Sequence, residues 1–346
     1  MGRELTQSHV KLRRAIEIIV GFAAESRLLR PVVMRSAFRS INVIYYHHVG
    51  SPAPHYKAFY NGCTTSQFAD SLRRLNRLFD FVPLSEVLAS PSPTENRDRP
   101  ILAVTFDDGF DLRASGAMEA LDRYGVKATT FVITSCVGNQ AMMWRHKLSA
   151  IQALAPTDVC LLEYNKLALS LGLKPIRSTS NLLFATKEWD MNRKDEWAAE
   201  LWHRCRLPKI ETYLSETRPY FDLDGLHAWI SGGHSVGFHS HTHPYCSRLG
   251  PSDLGRELIQ PSMQLRQSLG LTELPFSYPF GDRLRPELER ELFEKRVFNS
   301  FFGIRGFSRK KRAAGAILER ASVEGVCIGW AVFAPHAFGF SSRIST

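Results

Sequence analysis

Apolar and polar positions along this chain alternate between two periods. Residues 101–108 (ILAVTFDD) form an unbroken β-rich apolar run that stops abruptly at two carboxylates. A buried parallel strand whose C-terminal end opens on a site has this pattern. The spacing over residues 113–124 predicts a helix, and Gly125 then leads into a second β-rich run at 128–133. Strand, helix, strand is the βαβ rhythm. Upstream, residues 42–49 read as a strand and 66–79 as a helix, with Phe68, Leu72, Leu75 and Leu78 or Phe79 at helical spacing. Downstream, the rhythm resumes with a strand from Ser235 (SVGFHSH), a helix at 253–269, a strand at 275–281, a helix at 285–296 and a strand at 297–304. Together these units predict a barrel-like α/β architecture. Residues 134–234 interrupt it with mostly helical patterns and read as a large insertion on one barrel face. That insertion carries Trp144, Trp189, Trp197, Trp202 and Trp229, which either pack its helices or form an open stacking platform. Residues 90–100, rich in Pro and Ser, read as a loop.

Composition adds limits. The chain has 346 residues, 44% hydrophobic and 23% charged, which excludes a disordered, collagen-like or coiled-coil protein. Its net charge of +10 is unevenly placed. Residues 1–40 hold 8 Lys+Arg against 3 Asp+Glu, residues 282–346 hold 12 against 7, and the middle balances at 24 against 24. The organisation expected is a basic N-terminal helical segment (1–40), a barrel (41–304) and a basic C-terminal segment (305–346) that includes Arg309, Lys310, Lys311 and Arg312. Such ends can touch an anionic surface, whereas nucleic acid is not expected as a partner of the neutral body. Residues 18–24 form a short apolar stretch after Lys11, Arg13 and Arg14. They read as an amphipathic helix rather than a secretory signal, because no small-residue cleavage site follows. The six cysteines are scattered without a CxxC pair, which fits a reducing cytoplasm.

Three segments place polar groups where barrel active sites are built: TFDDG (105–109), FHSHTH (238–243) and FSYPFG (276–281). Two imidazoles sharing a zinc need each nitrogen about 2.0–2.1 Å from the ion. In an extended chain His239 and His243 would stand roughly 13 Å apart at about 3.3 Å per residue, so the strand must end near His239 and turn back. His239 and His243 are then the metal pair, and His241 points elsewhere. Asp107 and Asp108 leave their strand in opposite directions, so one can ligate the metal while the other stands by as a general base.

At these motifs the chain resembles the polysaccharide deacetylases, carbohydrate esterase family 4, whose domain is shared with the nodulation chitooligosaccharide deacetylase. Thr105–Gly109 matches the family's first motif in full, and His239–His243 matches its second, His-Ser/Thr-x-x-His. The resemblance implies a distorted (β/α) barrel and metal-dependent removal of N-acetyl or O-acetyl groups from a carbohydrate. Carried over by position, Asp107 is the general base, while Asp108, His239 and His243 bind a divalent metal, usually zinc, whose bound water attacks the acetyl carbonyl. Tyr278, Pro279 and Phe280 would line the groove or hold the oxyanion, through a backbone N–H near Phe280. Two departures stand out. Ser277 occupies the place of the third motif's arginine, which steadies the base, so another arginine has to replace it; Arg320 and Arg145 are the candidates. The late motif that supplies a histidine general acid is absent, since His336 has the wrong surroundings, and the acid is left unassigned. These departures sustain a second reading, a carbohydrate-binding protein on the same fold without turnover.

Overall fold

The computed structural model of the chain describes residues 30–59, 62–89, 97–309 and 317–324. The amphipathic helix expected at 18–24, the basic residues 310–312, most of the 90–100 loop, Cys327 and His336 fall outside the described residues.

Eight short strands line up in chain order: β1 Val43–Tyr46, β2 Ile101–Phe106, β3 Thr129–Val132, β4 Ser235–Phe238, β5 Pro275–Ser277, β6 Ser300–Gly303, β7 Leu318–Glu319 and β8 Ala321–Ser322. All their pairings are parallel, in the spatial order β7-β6-β5-β4-β3-β2-β1-β8. β7 and β8 are two halves of one run split at Arg320. This run pairs with β6 through its first half and with β1 through its second, and so closes the sheet into a barrel. The expected α/β barrel is therefore the fold. Its closing staves come from beyond residue 304, where the expected barrel ends.

Alternation along β2 sorts its side chains. Leu102, Val104 and Phe106 face the surrounding helices, and Ile101 and Ala103 face an inner cluster with Val43, Phe131, Phe302 and Leu318. Continuing the same period of two, Thr105 and Asp107 point into the barrel. The helices include α1 Thr65–Asn76, α2 Ala117–Arg123, α3 Trp144–Leu154, α4 Thr157–Ser170, α5 Lys194–Arg204, α6 Leu223–Ser231, α7 Gln260–Leu269 and α8 Pro286–Glu294. Thr64 starts α1 with a capping box, exchanging hydrogen bonds with Gln67, and Phe68, Leu72 and Leu75 form its buried stripe. The helix expected over 253–269 is interrupted. A π turn at Gly255–Ile259 precedes α7, and Pro261, with no N–H to donate, follows directly.

Within the insertion, α3, α4 and α5 enclose a core of their own around Trp144, Tyr164, Trp189, Trp197 and Trp202, separate from the barrel's. Trp229, on α6, belongs to the barrel core instead and donates its indole N–H to the Ser235 carbonyl at 2.9 Å. None of the five tryptophans is more than 8% exposed, so they pack the fold and offer no open stacking platform.

Gly237 lies against Phe131 of the inner cluster. A Cβ there would overlap the Phe131 ring and come within 3.0 Å of the Pro275 carbonyl. Gly237→Ala is accordingly expected to destabilise the barrel by about 1–3 kcal/mol, the usual cost of overpacking. A urea midpoint indistinguishable from that of the parent would contradict this.

Candidate active site

Asp107 lies 2% exposed inside the barrel mouth and is gripped by Arg320. The guanidinium donates to both carboxylate oxygens, Nη1 to Oδ1 at 2.7 Å and Nη2 to Oδ2 at 2.8 Å. Nη2 also donates to the Ser277 hydroxyl at 2.6 Å and Nη1 to the Thr105 hydroxyl at 3.0 Å. Its carbon sits 5.0 Å from the Tyr45 ring centre and 4.9 Å from that of Phe131, which holds the fork in plane. The arginine missing at position 277 is thus replaced in space by one from the break in the closing strand, and Ser277 is small enough to admit it. Of the two arginines weighed from the sequence, Arg145 lies elsewhere, 4.4 Å from the Phe280 ring centre. Burial pushes the Asp107 carboxyl up, but Arg320, with His239 behind it, brings it below the ordinary carboxylate range.

Asp108 follows with φ of 68° and Gly109 with φ of 71°. This left-handed turn, which aspartate and glycine tolerate best, swings Asp108 away from Asp107 and toward the end of β4. There β4 ends at Phe238, Ser240 takes φ of 67° and His243 φ of 58°, so the loop doubles back as the two-histidine spacing requires. The Ser240 hydroxyl accepts the His243 N–H at 3.0 Å and locks the turn.

Three acceptor atoms converge as a result. His239 Nε2 and His243 Nε2 are 3.2 Å apart, and Asp108 Oδ1 stands 3.5 Å from the first and 3.3 Å from the second. A tetrahedral ion with bonds of about 2.0–2.1 Å separates neighbouring ligand atoms by roughly 3.3 Å, so the trio fits such an ion. The His239 Nδ1–H donates to the Ser277 carbonyl at 2.7 Å, which leaves Nε2 unprotonated and aimed at the common point. Asp108 Oδ1 is buried with no hydrogen-bond donor, a state that a cation among the three would relieve. Burial lowers both histidines, His239 to about 4, so both are neutral at pH 7, the form in which an imidazole can ligate. Burial raises Asp108, but the neighbouring His146 and His243 outweigh it and hold the carboxyl well below its usual range. This buried Asp-His-His group could bind a metal ion.

Surrounding groups brace the site. Glu257, from the π turn, accepts the Thr242 N–H at 3.1 Å and the Thr242 hydroxyl at 2.9 Å, and its carbonyl accepts the His241 N–H at 2.9 Å. His241 itself turns away to the Thr134 hydroxyl, 2.9 Å from its Nδ1. Trp144, opening α3, donates its indole N–H to the His243 carbonyl at 2.9 Å. His47, past the end of β1, pairs with Glu324 just after the closing strand at 2.8 Å. Burial opposes its charge, but Glu324 prevails and raises it to about 9.

The third segment divides. Tyr278 is fully buried, its hydroxyl donating to Glu289 at 2.8 Å and its N–H to the Phe302 carbonyl at 3.0 Å, so it neither lines the groove nor offers a donor. Pro279 has no N–H. Of the three residues expected there, Phe280 alone meets the site, with φ of 57° and its ring centre 4.4 Å from that of His243. Sequence reasoning missed His146, Glu257 and Glu324, since none lies in a motif and each arrives from a separate element.

The family model described as polysaccharide deacetylase matches residues 94–158. No curated protein matches in sequence. Solved structures share the fold at low identity. IcaB from Ammonifex degensii is 16% identical with a TM-score of 0.54, over 86% of this chain and 97% of its own. The Streptococcus pyogenes deacetylase PplD, in complex with acetate, is 15% identical with a TM-score of 0.53, over 83% of this chain and 93% of its own. A polysaccharide deacetylase from Bacillus cereus is 12% identical with a TM-score of 0.50, over 86% of this chain and 68% of its own. TFDDG lies inside the segment that matches the polysaccharide deacetylase model, and the chain shares its barrel fold with solved deacetylase structures across most of its length.

Proposed function

We propose that this protein hydrolyses N-acetyl or O-acetyl groups on a polysaccharide or oligosaccharide such as a chitooligosaccharide. Asp107 acts as general base beside a divalent metal, zinc by the character of its donors, held by Asp108, His239 and His243. The observation that carries this reading is the pairing of a charge-clamped carboxylate with three converging metal-type acceptors at one barrel mouth. When bound, the ion supplies Lewis acidity that lowers the pKa of a water to about 7 and polarises the acetyl carbonyl. Asp107 removes a proton from the attacking water. The Phe280 backbone N–H would help hold the developing oxyanion. Collapse of the tetrahedral intermediate breaks the bond to nitrogen, acetate leaves, and the proton on Asp107 can return to the amine. Charge balance then needs no separate acid.

The reading without turnover drew on the serine at 277, and Arg320 answers that departure. Acetate release from a panel of acetylated glycans, with appearance of equivalent free amine and Asp107→Asn as control, tests the proposal. Binding of those glycans without any acetate would sink it.

His239→Ala leaves one imidazole and one carboxylate, and the protein is expected to lose its stoichiometric metal, with affinity falling at least about tenfold. Elemental analysis of the purified variant showing unchanged metal content would remove His239 from the ligand set.

A further inference from the structure

The insertion reaches the metal-type group through a residue that no motif contains. His146, on α3, is completely buried. Its Nε2 stands 3.3 Å from Asp108 Oδ2, the oxygen turned away from His239 and His243. Its Nδ1 lies 2.7 Å from the Tyr220 hydroxyl, and that hydroxyl's oxygen already accepts the Met143 N–H at 3.3 Å. The direction of the chain follows. The Tyr220 oxygen accepts from the backbone N–H while its hydroxyl donates to Nδ1, so the neutral ring carries its proton on Nε2, facing Asp108. The ring cannot easily turn, since Phe110 packs on it at 4.9 Å between ring centres. At 3.3 Å the last contact is long for a hydrogen bond.

We propose that His146 is a positioning residue for Asp108: it holds Oδ2 so that Oδ1 stays aimed at the point shared with His239 and His243. The inference rests on the metal site proposed above. It gives the insertion a part in the site, because His146 lies within it and Tyr220 orients the ring. His146 is not itself a ligand, as it falls outside the group whose atoms lie within 4.8 Å of one another.

The experiment titrates metal-free protein with Co²⁺, following the visible ligand-field band, with affinity measured by competition against a chromophoric chelator. Wild type is expected to bind one ion and Asp108→Ala none at this site. His146→Phe keeps the ring volume without the donor and is expected to bind about 10–100-fold more weakly. His146→Gln, which restores an N–H near the same place, should recover most of the affinity, a rescue that a purely structural role would not produce. Thermal midpoints of the metal-free variants report folding separately. Wild-type affinity and an unaltered band in a folded His146→Phe protein would overturn the proposal. Should that variant fail to fold, Tyr220→Phe stands in for it, with several-fold weaker binding expected and unchanged binding overturning the proposal. Equal Co²⁺ binding by wild type and Asp108→Ala would instead refute the metal site beneath it.

Discussion

Asp107→Asn is expected to lower kcat for acetate release by about 10²–10⁴-fold, the usual contribution of a positioned general base, while metal content and glycan binding persist. The amide has the same shape but cannot take up a proton. It also turns one N–H toward the Arg320 fork, where the carboxylate accepts two hydrogen bonds at 2.7 and 2.8 Å, so some stability will be lost as well. Activity should therefore be measured well below the variant's melting temperature, with metal content determined on the same preparation. Retention of a tenth or more of the parent kcat would exclude Asp107 as the base. Loss of metal together with activity would place Asp107 among the ligands instead.

Removing the other half of the pair has a different signature. Arg320→Met is expected to destabilise the fold by about 3–5 kcal/mol, because it strands the buried Asp107 carboxylate without its ion-pair partner. In the parent, burial raises the Asp107 carboxyl and Arg320 is the strongest influence lowering it. Without the guanidinium the carboxyl titrates at higher pH. A base works only when ionised, so kcat/KM falls as pH drops through its pKa, and the acid limb of the profile moves upward in the variant. The linkage to stability has the matching sign. A depressed carboxyl contributes stability above its unfolded value of about 3.9, and that contribution disappears as pH falls through the lower folded value. Arg320→Lys keeps a charge without the two-pronged geometry and should fall between the two. An acid limb that stays in place in Arg320→Met would mean that Arg320 holds the barrel together but does not tune the base.

The barrel's repeating units and the ends of its working strands were legible because periodicity is local. The even positions of β2 face the helices and the odd ones the interior, a pattern written into ILAVTFDD itself. The turn after β4 could also be inferred, since two histidines four apart cannot share an ion in an extended chain, and Ser240 and His243 do take left-handed conformations there. The expectation for Tyr278 failed for the opposite reason. Its neighbour Phe280 meets the site, but its own side chain points out to Glu289, and nothing within three residues of sequence distinguishes those fates. The closing strand was invisible for want of length. Two pairs of residues around Arg320 are too short to show a period, and they lie beside a strongly basic run that reads as a tail.

Sequence alone therefore determined which side chains are suited to the chemistry: two adjacent carboxylates, two histidines at a ligating spacing, and the strands that end at them. Only the tertiary structure decided how those groups are held. Arg320 is 213 positions from Asp107, His146 is 38 positions from Asp108, and Glu257 reaches the histidine loop from the π turn that precedes α7. The physical reason is that a ligand's identity depends on the atoms one residue carries, whereas its orientation and charge depend on partners in space. Barrel closure brings such partners together from segments with no local signal of their own.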